Sequence, residues 1–156
     1  MDKRIAAIIG AGLIGRAWAV VFARAGWTVR LYDAVPAQLS AARQLIAQAL
    51  AEQEQAGLLT DARAALECIA PCTKVGEAVS DAAWVQENLP EEVAVKHRAF
   101  AELDRLASPD AVLASSTSAI VASQFTEGLA GRARCLVVHP VNPPHLVPIV
   151  ELCGAP

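Results

Sequence analysis

The 156-residue chain is 54% hydrophobic and 19% charged, which suits one domain with a packed core and argues against disorder. Its net charge of −3 comes without a basic stripe to neutralise phosphates, so nucleic acid is not an expected partner. No apolar run reaches the roughly 20 residues of a bilayer span, and Met1-Asp2-Lys3-Arg4 leads straight into an apolar strand without the shape of a signal peptide. The expectation is a cytoplasmic α/β domain with no membrane partner. Cys68, Cys72, Cys135 and Cys153 form no CxxC and no zinc spacing, and are expected to be buried reduced thiols.

The run from Arg4 to Ile9 reads as a short buried strand ending at Gly10. From Leu13 to Ala25, residues Ile14, Ala17, Trp18, Val21 and Phe22 fall on one helical stripe, and Gly26 sits where a helix-ending glycine belongs. Thr28–Tyr32 alternates as a strand and stops at Asp33, completing a β-α-β unit. Pro36 to Ala70 is helical with one break at Gly57, a helical hairpin too long for an ordinary crossover and expected to project from the sheet. Further short strands are predicted around Thr73–Val75, Trp84–Glu87, Ala111–Ser115, Arg134–Val138 and Ile149–Leu152, with a helix from about Pro90 to Ala107. The alternation implies a Rossmann-type, doubly wound, mostly parallel sheet. The last strand follows a proline-rich loop instead of a helix, so it is expected to run antiparallel.

Gly10-Ala11-Gly12-Leu13-Ile14-Gly15 reads G-x-G-x-x-G between a predicted strand and a predicted helix, the context that gives the hexamer meaning. Gly10 permits the tight turn, Gly12 lets backbone approach a pyrophosphate, and Gly15 lets the helix pack close to the strand. Asp33 ends the second strand, where a carboxylate accepts hydrogen bonds from both adenosine ribose hydroxyls and repels a 2′-phosphate. Ala34 and Val35 offer no arginine to receive such a phosphate, so NAD is the expected cofactor. The alternative is a glycine turn followed by a helix-capping aspartate.

A second constellation closes the chain. His139 follows a strand at the carboxyl end of the sheet, where open α/β folds bind ligands. Glu151, on the neighbouring return strand, is placed to reach its imidazole, and a carboxylate in that position makes a histidine a good proton acceptor near neutral pH. Such a base suits alcohol oxidation by a nicotinamide. Ser118, at another strand end, is placed to hydrogen-bond a substrate oxygen, although the serine cluster reads equally well as helix capping. His145 has less context and reads as a loop or surface residue.

The segments GAGLIG, LYD, VQENLPEEVAVK, ASSTSAI and HPVNPPHLVPIVEL, in this order, resemble the NAD-binding domain of the 3-hydroxyacyl-CoA dehydrogenase family. HPVNPP and RAWAVVFARAGWTVRLYD look most like its lambda-crystallin/L-gulonate 3-dehydrogenase branch. The resemblance covers essentially the whole chain. It implies catalytic roles for Ser118 and His139, with Glu151 as the histidine's partner. It places cofactor contacts on Gly10, Gly12, Leu13, Ile14, Gly15, Asp33, Ser118, Glu91, Lys96 and Asn142. From the sequence alone, Glu91 and Lys96 read as a solvated helix face.

Two departures from the family pattern stand out. The resemblance implies a second, helical C-terminal domain that supplies a catalytic asparagine and most of a homodimer contact, and nothing in the 156 residues corresponds to it. It also implies a serine and a lysine on the hairpin to hold CoA, and those positions fall on Ala49 and Ala56. The hairpin carries Arg43 and Arg63 against Glu52, Glu54, Asp61 and Glu67, a poor seat for CoA phosphates. The leading expectation is NAD-dependent oxidation of the 3-hydroxyl of a small hydroxy acid such as L-gulonate. Oxidation of a 3-hydroxyacyl-CoA, such as 3-hydroxybutyryl-CoA, is the alternative within the class. A non-catalytic nucleotide-binding or crystallin-like module is the alternative outside it, and the joint presence of Ser118, His139 and Glu151 speaks against that one.

Overall fold

The computed structural model describes residues 4–155; Met1 to Lys3, read above for a signal peptide, and Pro156 lie outside them. Seven strands form one sheet in the order β3-β2-β1-β4-β5-β6-β7. They are β1 (Ile5–Ile9), β2 (Thr28–Tyr32), β3 (Ile69–Cys72), β4 (Trp84–Glu87), β5 (Val112–Ser115), β6 (Cys135–Pro140) and β7 (Val150–Gly154). Every neighbouring pair is parallel except β6 and β7, which are antiparallel, with His139 directly opposite Glu151. Helices α1 (Leu13–Arg24), α2 (Pro36–Gln55), α3 (Ala62–Glu67), α4 (Val75–Val79), α5 (Val93–Leu106) and α6 (Ser123–Thr126) complete the fold.

Because successive strand residues point to opposite faces, the apolar strands feed two cores. Ile8, Val29, Leu31, Ala114 and Val138 pack with α1, α2 and α3, while Ala7, Ile9, Val85, Leu113 and Val137 pack with α4, α5 and α6. Truncating one such fully buried side chain, Ile8 for example, to alanine costs about 2–5 kcal/mol. The sheet is thus covered on both sides, as a doubly wound sheet requires. The hairpin of α2 and α3 rests chiefly on α1 and on itself, and its Ala42, Ile46 and Leu50 also join the core against the strands. Gly57, with a φ of +73°, turns it as expected, and Gly26, at +78°, ends α1 with the Trp27 N–H bonded back to Phe22 O.

Four expectations need correction. The third strand is Ile69–Cys72, not Thr73–Val75, and Val75 opens a helix instead; the hairpin therefore ends before Ile69. Pro71 is tolerated because β3 is an edge strand, where its missing N–H costs no ladder bond. The helix expected from Pro90 begins at Val93, because Pro90–Glu92 form a loop from which the Glu91 side chain bonds to the residues after β5. The cysteines are not uniformly buried, since Cys153 is exposed and only Cys135 is fully enclosed. Burial pushes the Cys135 thiol up to about 11, with Asp104 adding to the effect and Arg134 opposing it. His145 lies in the loop between β6 and β7, but it is half-buried against the helical layer, not free on the surface.

Candidate active site

The glycine loop sits between β1 and α1 at the carboxyl end of the sheet, beside the point where the strand order reverses. Gly10 has a φ of +92°, and a Cβ on it would stand 2.8 Å from Asn88 O. A Cβ on Gly15 would stand 1.8 Å from Gly10 O, so no side chain fits there. Gly12 differs: a Cβ on it would meet nothing within 4 Å, and no side chain caps the helix it opens. The first-turn N–H groups of α1 therefore face open space with no intrahelical partner, a ready seat for a pyrophosphate. Leu13 and Ile14 are two of the residues that present those groups. Asp33 Oδ2 accepts from Ala11 N–H at 2.8 Å and Oδ1 from Val35 N–H at 2.9 Å, which ties the acid to the glycine loop. These residues fit NAD.

Across the carboxyl edge, the antiparallel register brings His139 and Glu151 together, with Nδ1 2.7 Å from Oε2. With Nδ1 donating to the carboxylate, the neutral ring has its free lone pair on Nε2. The pair lines a cavity of about 280 Å³ together with Thr117, Ser118, Ile120 and Val121. Sequence reasoning paired His139 with Glu151 and set Ser118 at another strand end, and the fold brings all three into a single cavity. Asn142 is exposed in the loop after β6.

Next to Thr117 and Ser118 lies a polar cluster centred on Glu87, a residue the sequence did not single out. Lys96 is 1% exposed and Glu87 is 0% exposed, so the reading of Lys96 as part of a solvated helix face is overturned. Its ammonium stands 3.0 and 3.1 Å from the two Glu87 oxygens and 3.3 Å from Leu89 O. Glu87 Oε2 also accepts from Ser115 Oγ at 2.5 Å, and Oε1 from Leu89 N–H at 2.6 Å. Removing either partner of such a pair strands a buried charge, at about 3–5 kcal/mol. Glu91, expected on the same helix face, precedes the helix and reaches across to the loop that follows β5. Its Oε1 accepts from Thr117 Oγ1 at 2.5 Å and from Ser118 N–H and Ala119 N–H, each at 3.0 Å. Burial opposes ionisation of the Glu91 carboxyl, but the Thr117 hydroxyl, the two N–H groups and Lys96 outweigh it and hold its pKa below the ordinary glutamate value. On the other side of the glycine loop, Ser116 Oγ accepts from Trp18 Nε1 at 2.9 Å and Gln86 Nε2 at 2.8 Å and donates to Asn88 Oδ1 at 2.8 Å.

A family model described as 3-hydroxyacyl-CoA dehydrogenase, NAD binding domain, matches residues 5–156. The chain belongs to this family. It is 40% identical over 152 residues to lambda-crystallin of Oryctolagus cuniculus, covering 96% of this chain and 48% of that protein. It is 39% identical to the L-carnitine dehydrogenase/betainyl-CoA thioesterase of Rhizobium meliloti, covering 96% of this chain and 30% of that one. Among solved structures, 3-hydroxybutyryl-CoA dehydrogenase of Escherichia coli superposes with a TM-score of 0.88 at 29% identity, over 97% of this chain and 32% of that one. The chain spans about half the length of the lambda-crystallins it matches. As an NAD-binding domain of the 3-hydroxyacyl-CoA dehydrogenase family, it carries the glycine loop and Asp33 on one half of its sheet edge and the His139–Glu151 pair on the other. The hairpin positions that the resemblance ties to CoA are occupied by Ala49, half-buried against α1, and Ala56, exposed at the end of α2. The hairpin arginines are already engaged, Arg43 with Ile69 O and Arg63 with Glu67. Among the described residues no helix is long and apolar enough to cross a membrane.

Proposed function

We propose that the protein oxidises the 3-hydroxyl of a small hydroxy acid, an L-gulonate-like sugar acid, with His139 as general base. NAD, when bound, supplies the hydride acceptor. His139 Nε2 takes the hydroxyl proton. Glu151 holds the imidazole in the required tautomer and favours the imidazolium that proton transfer creates. Ser118 donates to the substrate oxygen and orients the alcohol. Gly10, Gly12, Leu13, Ile14, Gly15, Asp33, Glu91, Lys96, Ser118 and Asn142 are the cofactor contacts in this reading. The observation that carries it is the 2.7 Å His139–Glu151 pair in one cavity with Ser118. Oxidation of a 3-hydroxyacyl-CoA is the second reading, favoured by the likeness to 3-hydroxybutyryl-CoA dehydrogenase; the acidic hairpin with alanine at positions 49 and 56 favours the free acid.

The deciding experiment measures kcat/KM of the complete protein for L-gulonate, 3-hydroxybutyrate and 3-hydroxybutyryl-CoA, alongside His139→Gln. The variant is expected to lose at least about 10²-fold in kcat while binding NADH as before. Wild-type turnover in His139→Gln would remove the histidine from the mechanism. A thioester preference above roughly tenfold, about 1.4 kcal/mol of transition-state binding, would transfer the assignment to the CoA ester.

A further inference from the structure

The Ser116 hydroxyl stands where α1, β4 and the start of the loop after β5 meet. Its oxygen accepts from Trp18 Nε1 at 2.9 Å and from Gln86 Nε2 at 2.8 Å. Both lone pairs are then engaged, and the single hydroxyl hydrogen goes to Asn88 Oδ1, 2.8 Å away. At the other end of the Asn88 amide, Nδ2 donates to Gln86 O at 2.9 Å and to Ile9 O at 3.3 Å. Two carbonyls can be met only by the NH2 end of an amide, so both ends of the side chain agree on one orientation. Gln86 is itself fixed, because its Oε1 accepts from Trp84 Nε1 at 2.9 Å. With Gln86 0% and Trp18 6% exposed, this relay runs through the interior and surfaces only at Ser116 and Asn88, both half-buried.

The relay ends on the glycine loop. Ile9 is the residue before Gly10, and its carbonyl takes the Asn88 backbone N–H at 2.8 Å as well as Nδ2. Gly10 lies against Asn88 O, and a Cβ on Gly15 would stand 3.5 Å from Asn88 Nδ2. On its other flank the loop is held by β2 and Asp33, through Gly10 N–H to Tyr32 O at 2.9 Å and Ala11 N–H to Asp33 Oδ2 at 2.8 Å. We propose that Ser116 is a positioning residue for the pyrophosphate of NAD. Acting through Asn88, its hydroxyl holds the β4 flank of the glycine loop so that the first-turn N–H groups of α1 point to one place. A seat made of backbone donors binds an anion well when those donors are aimed beforehand; a slack loop must be ordered at the moment of binding, and that ordering is subtracted from affinity. The inference rests on the fit of NAD to the glycine loop and is independent of which alcohol is oxidised.

The test titrates the complete protein with NADH, ADP-ribose and adenosine, which separates the pyrophosphate seat from the adenosine seat without any substrate. Ser116→Ala is expected to weaken NADH and ADP-ribose by about tenfold, the worth of one charge-assisted hydrogen bond, and to leave adenosine within about twofold of the wild type. Amide hydrogen exchange at Gly10 and Asn88 in the free protein should quicken. Ser116→Thr, which keeps the hydroxyl, should restore NADH binding to within about threefold. Asn88→Ala should reproduce the loss, and the double variant should lose no more than the weaker-binding single, because both cut the same path. Losses that multiply in the double variant would separate the two residues and overturn the proposal. An equal loss for all three ligands would reduce Ser116 to a residue that stabilises the fold, and unchanged NADH affinity in Ser116→Ala would show that the glycine loop holds itself; either result overturns it too. If Ser116→Ala does not fold, Asn88→Ala is held to the same pattern of weakened NADH and ADP-ribose with unchanged adenosine.

Discussion

The Asp33 carboxylate uses one lone pair of each oxygen inside the protein, on Ala11 N–H and Val35 N–H. Each oxygen keeps a second lone pair, enough to receive the two adenosine ribose hydroxyls. A 2′-phosphate would meet the same carboxylate at close range, and neither Ala34 nor Val35 supplies a cation to balance it. Charge-assisted hydrogen bonds of this kind contribute about 1.5–3 kcal/mol each. NADH should therefore bind more tightly than NADPH by at least about tenfold, and Asp33→Ala should weaken NADH while narrowing the difference. Calorimetric titration of both cofactors decides it, and equal affinities for the wild type would dismiss this role for Asp33. The placement of this acid beside the glycine loop was legible in the sequence because it is local: a glycine turn, a helix start and an acid at the next strand end fall within one β-α-β unit. Lys96 was not legible, because nothing in the residues around it says that its ammonium turns inward. That follows only once β4 and β5 align with Glu87 beside Ser115, a pairing between residues far apart in the chain.

At the scale of elements, the loop between β6 and β7 is fastened to the helical layer by Arg24, which donates to His145 O at 2.9 Å and to Leu58 O at 3.2 Å. His145 fills the wall between two cavities of about 520 and 210 Å³, formed with α1 and the hairpin. Burial holds its imidazole below the ordinary histidine pKa, Arg24 adds to that effect, and Glu52 opposes it. In the unfolded chain a histidine takes up its proton near pH 6.5, whereas in the folded chain this one resists until lower pH. The unfolded state thus binds more protons below about pH 6.5, so the stability contributed here is present above that value and is lost as the pH falls through it. The thermal midpoint is expected to drop between pH 7.5 and 5.5, and His145→Gln should show a smaller drop. Parallel curves for the two proteins would remove His145 from the acid response. The slip at β3 belongs to this scale too. Pro71 speaks against a strand when read locally, and β-branched Val75 speaks for one. The edge position that makes proline harmless appears only when β3 is seen to have a single neighbour, β2.

For the molecule as a whole, the carboxyl edge of the sheet holds both the glycine loop and the proposed base. The His139–Glu151 pair, however, lies at the open margin. All five residues of β7 are exposed, Leu152 by 67%, and Leu146 and Ile149 are exposed beside it. Contiguous apolar surface of this kind around a site marks a docking face, and the relatives are about twice as long as this chain. We propose that a further helical domain of the complete protein covers this margin, closing the cavity over the substrate. Residues 1–156 alone should then fold and bind NADH, self-associate through the uncovered strand, and turn over little or no hydroxy acid, because an alcohol left in water beside His139 is neither oriented nor desolvated. NADH titration, sedimentation and steady-state assays on residues 1–156 and on the complete protein, run side by side, test this directly. Equal kcat in the two would show that the β7 margin needs no cover, and the docking face would have to be explained by something other than catalysis.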